Sequence, residues 1–261
     1  MQSLSIAATG MLAQQLNVEV ISNNIANMNT TGYKRQRAEF QDLLYQDQRR
    51  VGTTSSAAGT IVPTGIQLGI GVNAAATYRI SAQGAMTKTD NQLDLAIRGE
   101  GFFQIELPDG QLAYTRAGAF QIGPTGNIVN QDGFSVQPGI AIPAEAIAIS
   151  INSQGQVFAK IDGQVAETNL GQLQLAIFQN KAGLENIGNN LLLETDASGP
   201  PALGTPDSNG YGTLQQGFVE DSNVDPIKEI TNMITAQRAY ELNSKVIETS
   251  DQMMQTANNV R

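Results

Sequence analysis

Hydrophobic residues near the N-terminus recur with a spacing of seven, as in an amphipathic helix. Two heptad positions run through residues 4 to 28, and seven of their eight members are apolar: Leu4, Met11, Val18 and Ile25 on the first, and Ala7, Gln14, Ile21 and Met28 on the second. The opposite face carries side-chain amides, with Glu19 as the one charge in the segment. The pattern predicts a helix about 38 Å long with an amide-rich polar face.

A second helix is predicted at the C-terminus. Asp225 is a suitable N-cap with Pro226 at the first helical position, and no Pro or Gly follows before Arg261. Its apolar positions fall on two adjacent seams, one of which is interrupted by Gln237, Ser244 and Asp251. Polar residues in such a seam lower stability and can fix register.

The two helices could pair as an antiparallel hairpin within the chain, or they could pair between copies. Pairing within the chain would leave an apolar stripe on the C-terminal helix, and a stripe of this length marks a protein interface. The predicted self-assembly seams are Leu4, Met11, Val18, Ile21, Ile25, Met28, Ile230, Met233, Ile234, Tyr240, Leu242, Val246, Ile247, Met253 and Met254.

Between the helices the hydrophobic period changes to two, as in β-strands. Residues 101–107 and 111–116 flank Pro-Asp-Gly and predict a hairpin, and the dipeptides at 132–133, 154–155 and 162–163 predict further turns. The regular spacing indicates a twisted antiparallel sheet or a small barrel. Residues 45–72 are rich in Gly, Ser, Thr and Pro and predict an extended arm or a disordered segment, and residues 197–211 predict a loop.

Composition removes most catalytic chemistry. The 261 residues include no His, Cys or Trp, so thiolate and imidazole metal sites and nucleophilic triads are excluded. A net charge of -9 argues against nucleic acid or an anionic membrane as a partner. The 26 Gln and 21 Asn outnumber the 39 charged residues, so the surface is polar without being ionic. Neither a conventional cleavable signal nor a run long enough to span a bilayer is evident.

Acidic residues cluster between positions 90 and 109. Asp94 and Glu100 belong to this run and could serve a carboxylate-dependent glycan hydrolase, although solvated strand edges and turn caps explain the cluster more simply. Its spacing does not match a calcium loop, and the glycine pairs at 69–71 and 99–101 lack the rest of a nucleotide-binding motif. We therefore predict no catalytic, cofactor-binding or metal residues.

The segment Ser22-Asn-Asn-Ile-Ala-Asn-Met-Asn-Thr-Thr-Gly-Tyr-Lys34 resembles the N-terminal signature of the bacterial flagellar axial family, whose members form rod and hook. Further segments are similar to the members that form the distal rod; they are residues 37–45, 59–65, 90–97 with 101–103, and 236–244. The residues of the chain that match the family motif are Asn24, Asn27, Asn29, Thr31, Gly32 and Tyr33.

The resemblance implies a structural subunit without catalysis or cofactors. It implies export by the flagellar type III apparatus without a cleaved signal peptide, and self-assembly as a helical homopolymer into a rigid hollow drive shaft in the periplasmic basal body. Partners implied are further copies, proximal rod proteins, the hook or hook-rod junction, and the bushing rings, with no nucleic acid and no direct membrane insertion. A rod-specific arm that includes Gly59, Ile61, Pro63 and Gly65 would keep the shaft straight.

The predicted fold class is α+β, with terminal amphipathic helices in a coiled-coil inner domain, an extended arm and an antiparallel β-rich outer domain. We place the terminal helical domain at 1–30 and 222–261, the connecting arm at 31–75, and the outer domain at 76–221. Two alternatives stay open: another flagellar axial protein, either hook or a different rod component, and the periplasmic glycan hydrolase.

Overall fold

The structure is a computed structural model, and it describes residues 2–52, 64–163 and 166–259. The chain forms two compact units. The first comprises residues 1–26, 36–78 and 225–261, and the second comprises residues 27–35 and 79–224. The α+β class is confirmed, since long helices lie at both ends of a β-rich middle region.

The first unit contains both long helices, α1 (Gln2–Ala26) and α2 (Pro226–Asn259). The predicted start of α2 is confirmed, because Asp225 Oδ1 accepts hydrogen bonds from the backbone N–H of Ile227 at 3.1 Å and of Lys228 at 3.3 Å. A carboxylate at this position also favours the helix dipole. The helix then continues for 34 residues without a break, as expected for a segment that lacks Pro and Gly after its first residue.

Four strands complete the first unit among its described residues. They are β1 (Gln36–Asp42), β2 (Tyr45–Arg49), β3 (Ile66–Gly69) and β4 (Val72–Arg79), whose last residue begins the second unit. Strands β1 and β4 pair, and β2 pairs with β3 in an antiparallel register with Tyr45 opposite Gly69. The described part of the predicted arm is therefore an extended hairpin, while Gly59, Ile61 and Pro63 lie outside the described residues.

The second unit holds sixteen short strands among the residues that the structure describes. They are β5 (Met86–Lys88), β6 (Leu95–Arg98), β7 (Phe102–Glu106), β8 (Leu112–Thr115), β9 (Gln121–Ile122), β10 (Ile128–Val129), β11 (Ser135–Val136), β12 (Ala146–Ile151), β13 (Gln156–Ile161), β14 (Thr168–Gln172), β15 (Leu175–Ile177), β16 (Glu185–Gly188), β17 (Leu191–Leu193), β18 (Ala202–Gly204), β19 (Thr213–Gln216) and β20 (Phe218–Glu220).

The largest sheet of this unit follows the order β16-β17-β8-β7-β11-β10-β9, with β15 joining β7 to β18. A three-stranded sheet follows the order β12-β13-β14, and β6 pairs with β19 and β5 with β20. The hairpin predicted around Pro108-Asp-Gly is confirmed as β7–β8, in which Phe103 lies opposite Thr115. The segment predicted to be a loop differs in one place, because residues 202–204 form β18 and pair with β15.

Aromatic side chains organise the core of the β-rich unit. Phe103 and Phe120 make an edge-to-face contact with ring centroids 5.0 Å apart, and Tyr114 contacts Phe178 in the same way at 4.7 Å. Aliphatic residues from several strands complete the core, including Leu95, Ile97 and Leu175, which are almost fully buried. This unit therefore buries most of its large apolar side chains in the ordinary way.

Candidate self-assembly surface

Helices α1 and α2 run antiparallel to each other within the first unit. The Asn24 amide donates to Glu229 Oε2 at 3.2 Å at one end of the pair, and Ser250 Oγ lies 3.4 Å from Ser3 Oγ at the other. Between these ends, a Cβ added at Gly10 would lie 3.0 Å from the side-chain nitrogen of Asn243. The helices approach closely because a glycine faces an amide in the middle of the contact.

The residues buried along the two helices are mostly small or polar. On α1 they are Ala7, Ala13, Val20, Ile21 and Asn24, and on α2 they are Glu229, Ala236 and Ser250. Of the residues predicted as self-assembly seams, only Ile21 is fully buried. Alanine contributes little apolar area, so the hydrophobic stabilisation of the pair is modest.

The bulky apolar residues of the helices instead face solvent. Leu242 is 66% exposed and Met253 is 63% exposed, and the other strongly exposed members of the predicted seams are Met28, Ile230, Ile234, Tyr240, Val246 and Met254. The remaining predicted positions, Leu4, Met11, Val18, Ile25, Met233 and Ile247, are half-buried. The sequence pattern missed Leu12, which is 68% exposed, while Ile227, at the start of the apolar face of α2, is 79% exposed. Bulky groups outside and small groups inside reverse the usual arrangement of a soluble helix pair.

Asn24 fixes the end of α1 within the same unit. Its amide nitrogen donates to the Gln36 carbonyl at 2.8 Å, and its side-chain oxygen accepts from the Gln36 N–H at 2.8 Å. Both ends of one amide group are thus satisfied by a single backbone residue, as a neighbouring strand would do. The first Asn of the family motif therefore holds α1 against the start of β1.

A close approach also joins the arm to α1. Thr9 Oγ1 lies 3.3 Å from the Val72 N–H, which donates to it, and a Cβ at Gly71 would come within 2.2 Å of the same oxygen. Gly71 has a φ of 143°, a conformation that disfavours a side chain. A glycine is required here because any side chain would displace the strand from the helix.

The later motif residues lie in the β-rich unit. The Gly32 N–H donates to the Glu220 carbonyl at 2.7 Å. Gly32 has a φ of 71°, and a Cβ there would meet the Ala117 nitrogen at 2.7 Å, so the position requires glycine. Asn190 donates to the Thr31 carbonyl at 3.3 Å, and Thr30 Oγ1 donates to Asn27 Oδ1 at 3.1 Å. The motif is a backbone anchor rather than a reactive centre.

The Glu220 carboxylate, whose side chain is fully buried, joins this anchor to the rest of the unit. Lys34 Nζ and Arg116 Nε each lie 2.5 Å from one of its oxygens, and the Gly84 N–H donates to it at 2.9 Å. Arg116 also donates to the carbonyls of Gly101 and Gly99, both at 2.6 Å. The carboxylate therefore has a complete set of charge-assisted hydrogen bonds. We call Lys34, Arg116 and Glu220 the buried ion cluster.

Opposing effects set the pKa values in the buried ion cluster. Burial acts to raise the pKa of Glu220, but the charge of Arg116 and hydrogen bonds from Lys34, Arg116 and the Gly84 N–H outweigh it and lower that pKa. Burial lowers the pKa of Lys34 and outweighs the attraction of Glu220. A carboxyl group whose pKa is lower in the folded state stabilises the fold above its unfolded pKa and loses that contribution as the pH falls.

The lowered pKa of Glu220 leads to a prediction about stability and pH. The difference in free energy of unfolding between the unchanged chain and Glu220→Gln should be largest near neutral pH and should shrink as the pH falls below the unfolded value of about 4.3. The substitution removes only the carboxyl group, so the change in this difference with pH reports that group. Urea denaturation from pH 3 to pH 7 would measure it, and a constant difference across this range would contradict the assignment.

The carboxylates considered for hydrolysis have other partners in the β-rich unit. Asp94 is buried and accepts a hydrogen bond from the Asn91 amide at 2.8 Å. Glu100 forms an ion pair with Lys181, and Glu106 accepts from Gln137 at 2.5 Å. Within the described ranges, the structure brings together no group of three or more acidic, His or Cys residues that could hold a metal ion. Across the same residues no helix is long and apolar enough to cross a bilayer.

Comparisons with known proteins identify the family of the chain. Family models match at three places, described as "Flagella basal body rod protein" for residues 4–34, "Flagellar hook protein FlgE/F/G D1 domain" for 96–159, and "Flagellar basal body rod FlgEFG protein C-terminal" for 215–260. The first match spans most of α1 and the motif, and the last spans α2.

Similar proteins cover the whole chain. It is 59% identical to the flagellar basal-body rod protein FlgG of Caulobacter vibrioides over 261 residues, which is all of both chains. It is 54% identical to the protein of the same name from Agrobacterium fabrum, with 97% of each chain covered. The flagellar hook-basal body complex protein FlhP of Bacillus subtilis is 33% identical over the full length of both. The chain therefore belongs to the flagellar basal-body rod protein family.

Proposed function

We propose that this chain is the repeating structural subunit of the flagellar distal rod. Copies would assemble helically into a rigid, hollow shaft in the periplasm that transmits torque from the motor to the hook. The observation that carries the proposal is the reversed packing of the terminal helices, with small residues buried between them and bulky residues outside. Family membership supplies the independent support.

Energetics favour further copies as the partner of the exposed stripe. Full burial of one Leu, Ile or Met side chain is worth about 1.5 to 3 kcal/mol, and α2 alone exposes eight large hydrophobic residues among those described. This gain exceeds what an alanine-lined seam provides within one chain. Contacts between copies would therefore contribute more stability to the helices than their own pairing does.

We propose that the helical domain (1–30 and 222–261) provides the contacts of the shaft, the arm spans 31–75, and the β-rich domain spans 76–221. The β-rich unit carries a net negative charge, since it holds fifteen Asp and Glu against eight Lys and Arg. This charge supports a role for the unit other than the helical contacts of the shaft. Partners would be proximal rod proteins, the hook or hook-rod junction, the bushing rings and the export apparatus. We propose neither catalysis nor a cofactor, because Asp94 and Glu100 are engaged in structural contacts.

The β2–β3 hairpin supports a bridging role for the arm. A two-stranded sheet is marginally stable alone. Its apolar residues remain solvent-exposed, with Leu44 at 81% and Tyr45, Ile66 and Leu68 also exposed. Gly65 is held tightly, since a Cβ there would lie 2.3 Å from the Arg49 carbonyl oxygen. We propose that neighbouring subunits cover this hairpin and that it stiffens the shaft.

Electron microscopy tests both proposals. At high concentration the purified chain should form straight hollow rods, and deletion of residues 46–63 should yield rods that bend, because the brace is lost while both helices remain. Failure of the full chain to form any rods, alone or in a flagellated host that lacks its own rod protein, would reject the structural function. Straight rods from the deletion variant would reject the role of the arm.

A further inference from the structure

A cleft of about 350 Å³ opens between α1 and α2 in the first unit. It is lined by Gln15, Val18, Glu19, Gln237, Tyr240 and Glu241. Val18 and the Tyr240 ring contribute its apolar part, and two carboxylates stand beside them. The last three residues belong to the segment 236–244 that resembles the flagellar family.

Both carboxylates lack a cation in the described structure. Glu19 Oε1 accepts one hydrogen bond, from the Gln15 amide at 3.1 Å, and no Lys or Arg of the described ranges forms an ion pair with Glu19 or Glu241. Two like charges around one cleft repel each other. An aromatic ring flanked by carboxylates is a surface that suits a guanidinium group, which stacks on rings and forms forked hydrogen bonds to carboxylates.

Arg238 is an exposed guanidinium on the same helix and has no ion-pair partner among the described residues. An α-helix turns by about 100° and rises by about 1.5 Å per residue. Arg238 therefore lies about 100° around the α2 axis from Gln237 and about 3 Å along that axis from Tyr240. The cleft and the cation therefore occupy neighbouring faces at the same level. A second copy displaced sideways would bring its own Arg238 to the cleft of the first.

We propose that Arg238 of one subunit inserts into the Glu19–Tyr240–Glu241 cleft of the next. The proposal rests on the self-assembly proposed above and names one contact that directs it. Such a contact is heterologous, since each subunit offers a cation on one face and an anionic cleft on another. Repeated without closure, a heterologous contact generates an open helical filament. Lys228 lies on the side of α2 opposite Gln237, and Lys245 lies about two turns away from Arg238.

Charge-reversal variants, each assayed alone, give the first test. Arg238→Glu, and separately the double variant Glu19→Lys/Glu241→Lys, should each reduce sedimentable polymer by at least about tenfold, because every contact then joins like charges. Lys228→Glu makes the same charge change elsewhere on α2 and should alter polymer yield less than about twofold. Unchanged thermal unfolding of the monomer shows that each variant still folds. Normal polymer from Arg238→Glu would overturn the proposal.

Mixing the two variants separates a contact between copies from a pair within one helix. Arg238 and Glu241 are three residues apart and could interact in one chain. If the contact is between copies, an equal mixture of Arg238→Glu and Glu19→Lys/Glu241→Lys should recover polymer, with the two proteins alternating. No recovery would overturn the proposal. In contrast, absence of polymer from the unaltered chain would reject the proposed function itself.

Discussion

Leu242→Asp should abolish polymer while the monomer remains folded. Leu242 is 66% exposed on α2, so its replacement removes little buried contact from the single chain. A surface change of this kind alters the free energy of unfolding by no more than about 0.5 kcal/mol. In the polymer, the same substitution would bury an unpaired carboxylate in every subunit contact, which costs several kcal/mol. Sedimentation and electron microscopy would measure polymer, and circular dichroism would follow unfolding.

Leu203→Asp is a matched control for this experiment. It makes the same chemical change at an exposed leucine, 48% accessible, on β18 of the β-rich unit. We expect it to polymerise normally if the helices provide the main contacts. Ile25 and Ile247 are poorer choices because both are half-buried, so a charge there would also weaken the helix pair. Normal rods from Leu242→Asp would contradict the assignment of the exposed stripe.

Glu220→Ala should have the largest effect on folding stability. The change leaves Lys34 and Arg116 buried without their carboxylate, and breaking a buried ion pair from one side costs about 3 to 5 kcal/mol. That is a large share of the total stability of a domain. We therefore expect a large fall in the urea midpoint of the β-rich unit. Circular dichroism would record it, and so would tyrosine fluorescence, because the chain contains no tryptophan.

Glu100→Ala provides the comparison. Glu100 also pairs with a lysine, Lys181, but its side chain is 56% exposed, and exposed pairs contribute about 0 to 1 kcal/mol. The triple change Glu220→Leu/Lys34→Met/Arg116→Met should restore part of the stability lost in Glu220→Ala, because no buried charge remains. Equal losses of stability in Glu220→Ala and Glu100→Ala would show that burial of the ion cluster contributes nothing to the free energy of unfolding.

The parts of the fold that follow local patterns were predictable from sequence. Asp225 and Pro226 mark the start of α2 because capping depends on neighbouring residues, and Pro108-Asp-Gly marks the β7–β8 hairpin for the same reason. Strand β18 was missed because residues 202–204 follow a Pro-Pro pair and carry no alternating pattern. Its pairing with β15 is a tertiary effect that overrides local preference.

The contact between the helices was harder to predict. The heptad pattern does not decide between pairing within the chain and pairing between copies; in the structure Ala7, Ala13 and Ala236 are buried and Leu242 is outside. The spacing of Ala7, Gly10 and Ala13 was a usable signal for close helix packing, but it does not show what covers the bulky face. The buried ion cluster left no local signal, since Lys34 and Glu220 are separated by 186 positions.

The alanine-lined contact between α1 and α2 has a kinetic consequence. A subunit that gains little from its own helix pairing, and much from covering its stripe, binds weakly to one neighbour and strongly where several neighbours meet. Two free subunits are then a poor nucleus, whereas the end of an existing shaft offers several surfaces at once. Growth should therefore show a lag that preformed shaft ends remove. Free subunits should then add to the end of an existing shaft rather than start new shafts elsewhere.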